Sequence, residues 1–234
     1  MPEELLDEID KFVIALEEAS VWHNSKKSVA HVESREDEKG KSYIYEFYCY
    51  IRIVADLMRN YVLEYIPGEG KFPHKFPQAP ANKKGKPRFH AYEKRKSNKK
   101  GSLKFQLCAG TKINGKFQSE NNHPDISFQK AKASEDPGCN DLILIYDAKF
   151  QEDPKSNLNK EEVYKFATIV RCFDLNKKKK KALKIKFNDL VGLEGNCLLT
   201  NVSAHHKMDD FIKSEYIREV ENFWVGKKFA VKGI

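Results

Sequence analysis

An uninterrupted apolar run that ends in two opposite charges is the feature that most constrains how this chain folds. Residues 142–146 read Leu-Ile-Leu-Ile-Tyr, and Asp147, Ala148 and Lys149 follow directly. A short apolar run between polar segments is typical of a β-strand buried on both faces. Because strand side chains alternate, Asp147 and Lys149 share one side of the sheet. Opposite charges at the end of a buried strand are costly unless they pair or bind a ligand, so we expect a functional site here.

A second carboxylate precedes a second short strand. Pro124-Asp125 is followed by Ile-Ser-Phe, and an Asp-Pro-Gly turn composition at 136–138 separates this segment from the apolar run. An antiparallel hairpin of 125–130 with 142–148 would bring Asp125 beside Asp147. Carboxylate oxygens without a thiolate suit Mg²⁺ or Mn²⁺, which keep waters and substrate phosphate as further ligands. The pattern therefore predicts a divalent-metal site that faces a phosphodiester.

These positions resemble the PD-(D/E)xK superfamily of phosphodiesterases, nucleases with a restriction-endonuclease-like core. The matching residues are Pro124, Asp125, Asp147 and Lys149. The resemblance implies a Mg-dependent endonuclease that hydrolyses DNA, with Asp125, Asp147 and the backbone carbonyl of Ala148 as metal ligands. It also implies that Lys149 lies beside the attacking water.

Two helical segments extend the resemblance. Such nucleases often carry an acidic residue on a helix before the core, and Glu46 is the candidate for this catalytic role. The segment 159–167 is similar to the helix that follows the catalytic strand, and Lys165 within it is a candidate second cation near the scissile phosphate. The segment 196–201 is similar to the next core strand.

A net charge of +8 is concentrated in one stretch of the chain. Residues 71–100 contain eleven lysines and arginines against Glu93 alone, with four phenylalanine and tyrosine side chains between them. Cations that neutralise backbone phosphates supply most non-specific nucleic-acid affinity. We expect a phosphate-contacting arm next to the active site, although the composition also fits a solvated loop. The candidate nucleic-acid contacts are Lys83, Lys84, Lys86, Arg88, Arg95 and Lys165.

The periodicity predicts the α/β class, with a mixed central β-sheet flanked by helices, a restriction-endonuclease-like core and an N-terminal helical arm. We expect the arm at 1–65, a basic Pro/Gly-rich loop at 66–102 and the nuclease core at 103–234, in one folded domain overall. A polar loop is expected at 24–41. The predicted helices are 3–22, 42–64, 160–173 and 208–224, and the predicted strands are 103–109, the region of Phe117, 125–130, 142–149, 182–187 and 197–200.

The composition also bears on location and partners. No run approaches the eighteen apolar residues of a membrane span, and the N-terminus is acidic and amphipathic. Five scattered cysteines without a C-x-x-C pair indicate a reducing compartment, so we expect a cytoplasmic protein. Because no separate target-recognition domain is evident, we expect sequence preference that is weak or that comes from a partner, such as a helicase or other ATPase in a bacterial defence or restriction system. A homodimer is expected because nucleases with one site often cut a duplex with two copies.

Three other interpretations stay open from the sequence. The chain could be a structure-selective nuclease of the junction-resolving or repair kind. It could be a nucleic-acid-binding subunit without catalysis, although Asp125, Asp147 and Lys149 are all present. Finally, the charged residues could form a strand-end ion pair with Asp125 as a turn cap. Cleavage assays on duplex and branched DNA separate these interpretations.

Overall fold

The computed structural model describes residues 2–33, 38–114, 123–153, 155–176, 183–204 and 206–233. The helices within these ranges are α1 (Pro2–Glu18), α2 (Ser25–Glu33), α3 (Glu38–Leu57), α4 (Lys160–Cys172) and α5 (Asp209–Ser214). The strands are β1 (Tyr61–Ile66), β2 (Arg88–Lys94), β3 (Lys100–Ala109), β4 (Ile126–Lys130), β5 (Leu142–Lys149), β6 (Asn196–Thr200), β7 (Ile217–Glu221) and β8 (Ala230–Lys232).

The eight strands form one mixed sheet in the order of the chain. Strands β1 to β5 are an antiparallel meander, β5, β6 and β7 are parallel, and β8 returns antiparallel to β7. The helices flank this sheet, so the predicted α/β class, mixed sheet and N-terminal helical region are confirmed. Within the described part of the chain, no helix combines the length and apolar composition that crossing a lipid bilayer requires.

Strand β5 is the buried centre of the sheet. Its side chains alternate between two hydrophobic clusters: Tyr146 and Ala148 pack with the N-terminal helices, and Ile145 packs with α4 and α5. Ile145 and Tyr146 are fully buried, and burying an apolar side chain of this size contributes about 1.5–3 kcal/mol. The strand predicted from its apolar run is therefore a rigid base for the charged residues at its end.

The N-terminal region contains more elements than its sequence pattern predicts. Helix α1 ends at Glu18, and α2 occupies part of the segment 24–41 that was predicted as a polar loop. The prediction of one helix over 42–64 is wrong at its end, because residues 61–64 belong to β1. This segment is rich in aromatic and branched residues, which favour a strand when a partner strand is available. The partner is β2.

Asp56 on α3 is buried, although its place in the pattern of the predicted helix 42–64 is on the polar face. Its carboxylate accepts hydrogen bonds from the backbone N–H groups of Asn188, Asp189 and Leu190, at 2.7–3.3 Å. Asp56 and these residues are more than 130 positions apart in the sequence, so helical periodicity alone cannot predict the contact.

Three further predictions about secondary structure are wrong. The segment 66–102 is not one loop, because it contains β2 and the start of β3. Alternating Phe89 and Ala91 face the core, and the many lysines and arginines elsewhere in this segment obscured the pattern. Residues 183–187 form no strand, and 208–224 is a short helix followed by β7. The strand expected near Phe117 lies outside the described residues.

Candidate active site

The pairing of β4 with β5 brings two of the predicted residues together. Ile126 lies opposite Tyr146, so the antiparallel register continued by one residue puts Asp125 opposite Asp147. The Oδ2 atom of Asp125 accepts the backbone N–H of Ala148 at 2.7 Å. The two carboxyl groups therefore meet at one end of the sheet, although 21 residues separate them along the chain.

Lys149 lies on the same side of β5 as Asp147. Its Nζ atom is 2.8 Å from Oδ2 of Asp147 and 3.9 Å from Oε2 of Glu162 on α4. The Asp147 side chain is 7% exposed and that of Lys149 is 29% exposed. The pair of Asp147 and Lys149 is thus partly withdrawn from bulk water. In this less polar environment an ion pair is stronger than on an open surface.

Glu46 reaches this cluster from helix α3. The pKa of the Glu46 carboxyl is raised to about 7, mainly by burial and then by the negative charge of Asp147, while Lys149 opposes the rise. Such mutual influence requires the three groups to be close together in a poorly solvated space. The structure therefore brings Glu46 to the predicted site from a distant part of the chain.

The cluster contains more carboxyl groups than amines. Burial raises the pKa of Asp125 well above its usual range, and the carboxylates of Glu46 and Asp147 raise it further. Burial by itself would lower the pKa of the Lys149 ammonium, but Asp147 and Asp125 more than offset burial and raise it. Three carboxyl groups thus surround one firmly protonated amine.

The donor set suits a hard divalent cation, because it consists of carboxylate oxygens without a thiolate. In the described part of the chain, however, no three histidine, cysteine, aspartate or glutamate side chains are already arranged as a metal site. Asp125 is engaged by the Ala148 N–H and Asp147 by Lys149. Ala148 contributes its N–H group here, and a role for its carbonyl stays a prediction.

These residues line a cleft of about 680 Å³. The lining includes the segment 76–80 and, from α4, Glu162, Lys165 and Ile169. Lys165 lies at the rim, where its Nζ is 2.6 Å from Oε1 of Glu162. Further lining residues are Tyr43, Glu46, Phe47, Tyr50, Ala109, Gly110, His123, Pro124, Asp125, Asp147 and Lys149.

The prediction that Lys83 contacts nucleic acid is wrong for this structure. Its side chain is 1% exposed. The Nζ atom donates to Oε1 of Gln106, Oε1 of Gln129 and the carbonyl of Ala133, at 3.1–3.3 Å. All three N–H groups of the ammonium are used, which is what makes its burial tolerable.

The other residues predicted to contact nucleic acid differ in how exposed they are and in whether they already form an ion pair. Lys84 is exposed and lies 3.2 Å from Glu69. Lys86 is half-buried, and burial together with nearby Lys75 lowers its pKa. Arg88 is only 12% exposed and is paired with Glu135 at 3.1 Å, so its guanidinium is largely committed.

Arg95 is exposed but remote from the cleft. It lies in the turn between β2 and β3, whereas Ala109, at the other end of β3, lines the cleft. At about 3.3 Å per residue, this ten-residue strand separates the two by about 30 Å. The expected basic arm next to the active site is therefore divided between the two ends of the sheet.

Two cleft residues were not selected from the sequence. Glu162 is three residues before Lys165 on α4, and this helical spacing could have identified Glu162 as the ion-pair partner of Lys165. His123 immediately precedes Pro124, and its Nδ1 accepts the backbone N–H of Ile113 at 3.2 Å. Because a backbone N–H only donates, His123 is neutral with its proton on Nε2. Burial and Lys112 lower its pKa, in agreement with this form.

Comparison of the chain with protein-family models, with curated proteins and with solved structures found no match. What the site does is therefore inferred from its geometry and chemistry.

Proposed function

We propose that this protein is a metal-dependent endonuclease that hydrolyses phosphodiester bonds of DNA, of the PD-(D/E)xK kind, with Mg²⁺ or Mn²⁺ as cofactor. One observation carries the proposal: Asp125, Asp147 and Lys149 converge at the end of β5, with Glu46 added from α3. A plain strand-end ion pair needs only one carboxylate for one lysine, and it does not explain two further carboxyl groups in the same poorly solvated cluster.

Asp125 and Asp147 are the residues that would hold the metal, with Glu46 as a third carboxylate. Crowding of these groups is unfavourable, since their negative charges raise the pKa of Glu46 and Asp125 after burial has done so. A divalent cation would relieve that repulsion. When bound, such an ion polarises a phosphate oxygen and increases the acidity of a coordinated water.

Lys149 acts as a fixed positive charge in this proposal. Although burial lowers its pKa, the carboxylates raise it overall, so the amine stays protonated at physiological pH. Its N–H groups can hold the attacking water or a non-bridging phosphate oxygen and offset negative charge in the transition state. A base role for Lys149 has no support in this environment.

Lys165 and Lys86 are the cations that we assign to flanking phosphates. Lys165 is at the rim with a 62% exposed side chain, and Lys86 lies near Lys75, the neighbour of the cleft residue Phe76. Each such contact strengthens binding in a salt-dependent way that is the same for all sequences. A helicase or ATPase partner and a second copy of the chain stay predictions from the sequence.

The test is a cleavage assay on single-stranded, duplex and branched DNA, with Mg²⁺ and with EDTA. We expect Mg²⁺-dependent cleavage that falls at least about 100-fold in Asp147→Ala and in Lys149→Ala. Lys155→Ala is the matched control, because Lys155 belongs to another Asp-x-Lys triplet and is exposed. Binding of DNA without cleavage by the wild type would overturn the proposal and favour a non-catalytic subunit.

A further inference from the structure

A second cavity, of about 510 Å³, shares no lining residue with the cleft described above. It is lined by parts of α1 and α3, by residues 189–190 and by residues that follow β7. Helix α3 contributes to both places, since Glu46 and Tyr50 line the cleft whereas Tyr48 and Arg52 line the cavity. The volume of the cavity is in the range of sites that hold one small ligand.

Arg52 supplies a fixed, planar cation to the lining of this cavity. Its Cζ atom lies 4.2 Å from the ring centroid of Phe223, which is fully buried and does not line the cavity. Nη1 of Arg52 donates to the Tyr48 hydroxyl at 2.9 Å and to the Trp224 carbonyl at 3.4 Å. The guanidinium is thus held between a buried ring and the cavity, where a planar cation can stack on a flat aromatic ligand.

Aromatic and apolar side chains accompany Arg52 in the lining. Its Cζ atom is 5.8 Å from the ring centroids of both Tyr48 and Phe229. Phe12, Met58 and Phe229 are only partly buried, although they line the cavity, so part of each is accessible to a ligand. Stacking on such side chains suits any nucleobase, because every base has a π-face.

The carboxylates of the lining already have partners. Glu8 is paired with Lys11 at 3.0 Å. Asp56 accepts the three backbone N–H groups of residues 188–190. Asp189 lies 2.8 Å from Nη1 of Arg59. Each negative charge at this cavity is therefore stabilised by another group of the protein.

Two lysines add positive charge that is not balanced in this way. Lys227 and Lys228 line the cavity and are exposed. Within the part of the chain that the structure describes, neither lysine forms an ion pair, and Arg52 forms none either. The lining therefore offers three cations to an anionic ligand, for which charge-assisted hydrogen bonds are the strongest polar contacts.

We propose that this cavity binds a nucleoside monophosphate. The base stacks on Arg52 and on the partly buried apolar side chains, and the phosphate accepts N–H groups of Lys227 and Lys228. A simple anion would use only the cations, and a plain apolar ligand would use only the rings. The proposal does not rest on the nuclease function, because the cavity shares no residue with the cleft and binding involves no cleavage.

Titration calorimetry of the wild type tests the proposal with three probes: adenosine monophosphate (AMP), adenosine and inorganic phosphate. EDTA is present, so that no metal ion bridges a phosphate to the carboxylates of the cleft. We expect AMP to bind at one site and each of the other probes to bind at least about tenfold more weakly, because each lacks one half of the ligand. No binding of AMP at about 1 mM, or adenosine that binds as tightly as AMP, would overturn the proposal.

A double variant, Lys227→Met with Lys228→Met, tests the phosphate contact. AMP should bind it at least about tenfold more weakly, with adenosine binding unchanged. The control is Lys132→Met with Lys213→Met, which also removes two exposed lysines but neither of them lines the cavity. Equal weakening in the two double variants would show only a general effect of net charge and would contradict the proposal.

Arg52→Lys tests the stacking contact, because lysine keeps the charge and loses the plane. We expect AMP and adenosine to bind this variant more weakly by the same factor, at least about fivefold. Thermal melting establishes whether the variant is folded. If it is not, the lysine variants still decide the proposal, since their substitutions lie on the surface.

Two further titrations identify the site and the source of the nucleotide. AMP binding that is lost in Asp147→Ala and kept in the Lys227 and Lys228 double variant would assign the nucleotide to the cleft and overturn the proposal. Competition between AMP and a 5′-phosphorylated strand would identify the ligand as a strand end, and its absence as a free nucleotide; both results support the site. Cleavage of DNA without AMP binding refutes this proposal alone, and AMP binding without cleavage refutes the nuclease function alone.

Discussion

Glutamine in place of Glu46 is expected to stabilise the protein above neutral pH and to abolish its cleavage of DNA. The Glu46 carboxyl has a pKa of about 7 in the folded protein and 4.5 when solvated. Because the folded pKa is the higher one, the folded state is favoured below pH 4.5, and this advantage is lost as the pH rises through 7. Glutamine cannot ionise, so the Glu46→Gln protein does not lose this stability as the pH rises.

The magnitude follows from the size of the rise. One pKa unit corresponds to about 1.4 kcal/mol. A rise in the Glu46 pKa from 4.5 to about 7 therefore corresponds to at most roughly 3 kcal/mol of unfolding free energy. Glu46→Gln should therefore gain up to roughly 3 kcal/mol of unfolding free energy at pH 8 and almost nothing at pH 4. For a chain of this length, that is roughly 6 to 12 °C in melting temperature.

Urea denaturation at pH 4 and pH 8, together with a cleavage assay, measures both effects. Glu219→Gln is the matched control. Burial raises the pKa of Glu219 to about 7 as well, but its carboxylate bonds to His206 at 3.1 Å, away from the cleft. Both variants should be stabilised at pH 8, and only Glu46→Gln should lose cleavage. A Glu46→Gln protein no more stable than the wild type at pH 8 would show that Glu46 lies outside the charge cluster.

Three further predictions concern the other charged groups. Lys83→Met should lower the unfolding free energy by roughly 2–4 kcal/mol, because it leaves buried acceptors unpaired; it should leave the salt dependence of DNA binding unchanged, whereas Lys86→Met should reduce that slope by about one. Lys149→Met should destabilise the fold by roughly 3 kcal/mol at pH 8, and a double mutant with Glu46→Gln should recover part of this loss; strictly additive effects would argue against contact between the two. Mg²⁺ at ten times its pH 8 dissociation constant should stabilise the wild type at pH 8 by about 1.4 kcal/mol in thermal melting, and the same Mg²⁺ concentration should stabilise it less at pH 5 because the ligands must be ionised; an equal shift in Asp125→Asn would contradict the proposed ligand set.

The arrangement of charged residues at the end of β5 could be predicted from sequence because it depends on residues that are close together along the chain. A run of five apolar residues predicts a buried strand, and alternation puts Asp147 and Lys149 on one side. The turn composition at 136–138 similarly predicts the hairpin with β4 that brings Asp125 alongside. Each of these steps depends on neighbours within about 25 residues.

Contacts across the fold could not be predicted in this way. Lys83 lies among lysines and arginines that the sequence pattern predicts to be exposed. It is nevertheless buried, because Gln106 and Gln129 accept its hydrogen bonds. Asp56 looks like a surface residue of a helix until the loop at 188–190 is packed against it. Burial of a charge depends on partners that are distant along the chain.

The amino-acid order by itself determined the mixed α/β architecture and the identity of the charged residues at the end of the central strand. Only the tertiary structure decided how far these residues are buried and which segments line the cleft around them, because α4 and the segment 76–80 are separate in sequence and come to the same cleft only in the folded chain. Chain order specifies which chemical groups are available, and packing specifies what can reach them.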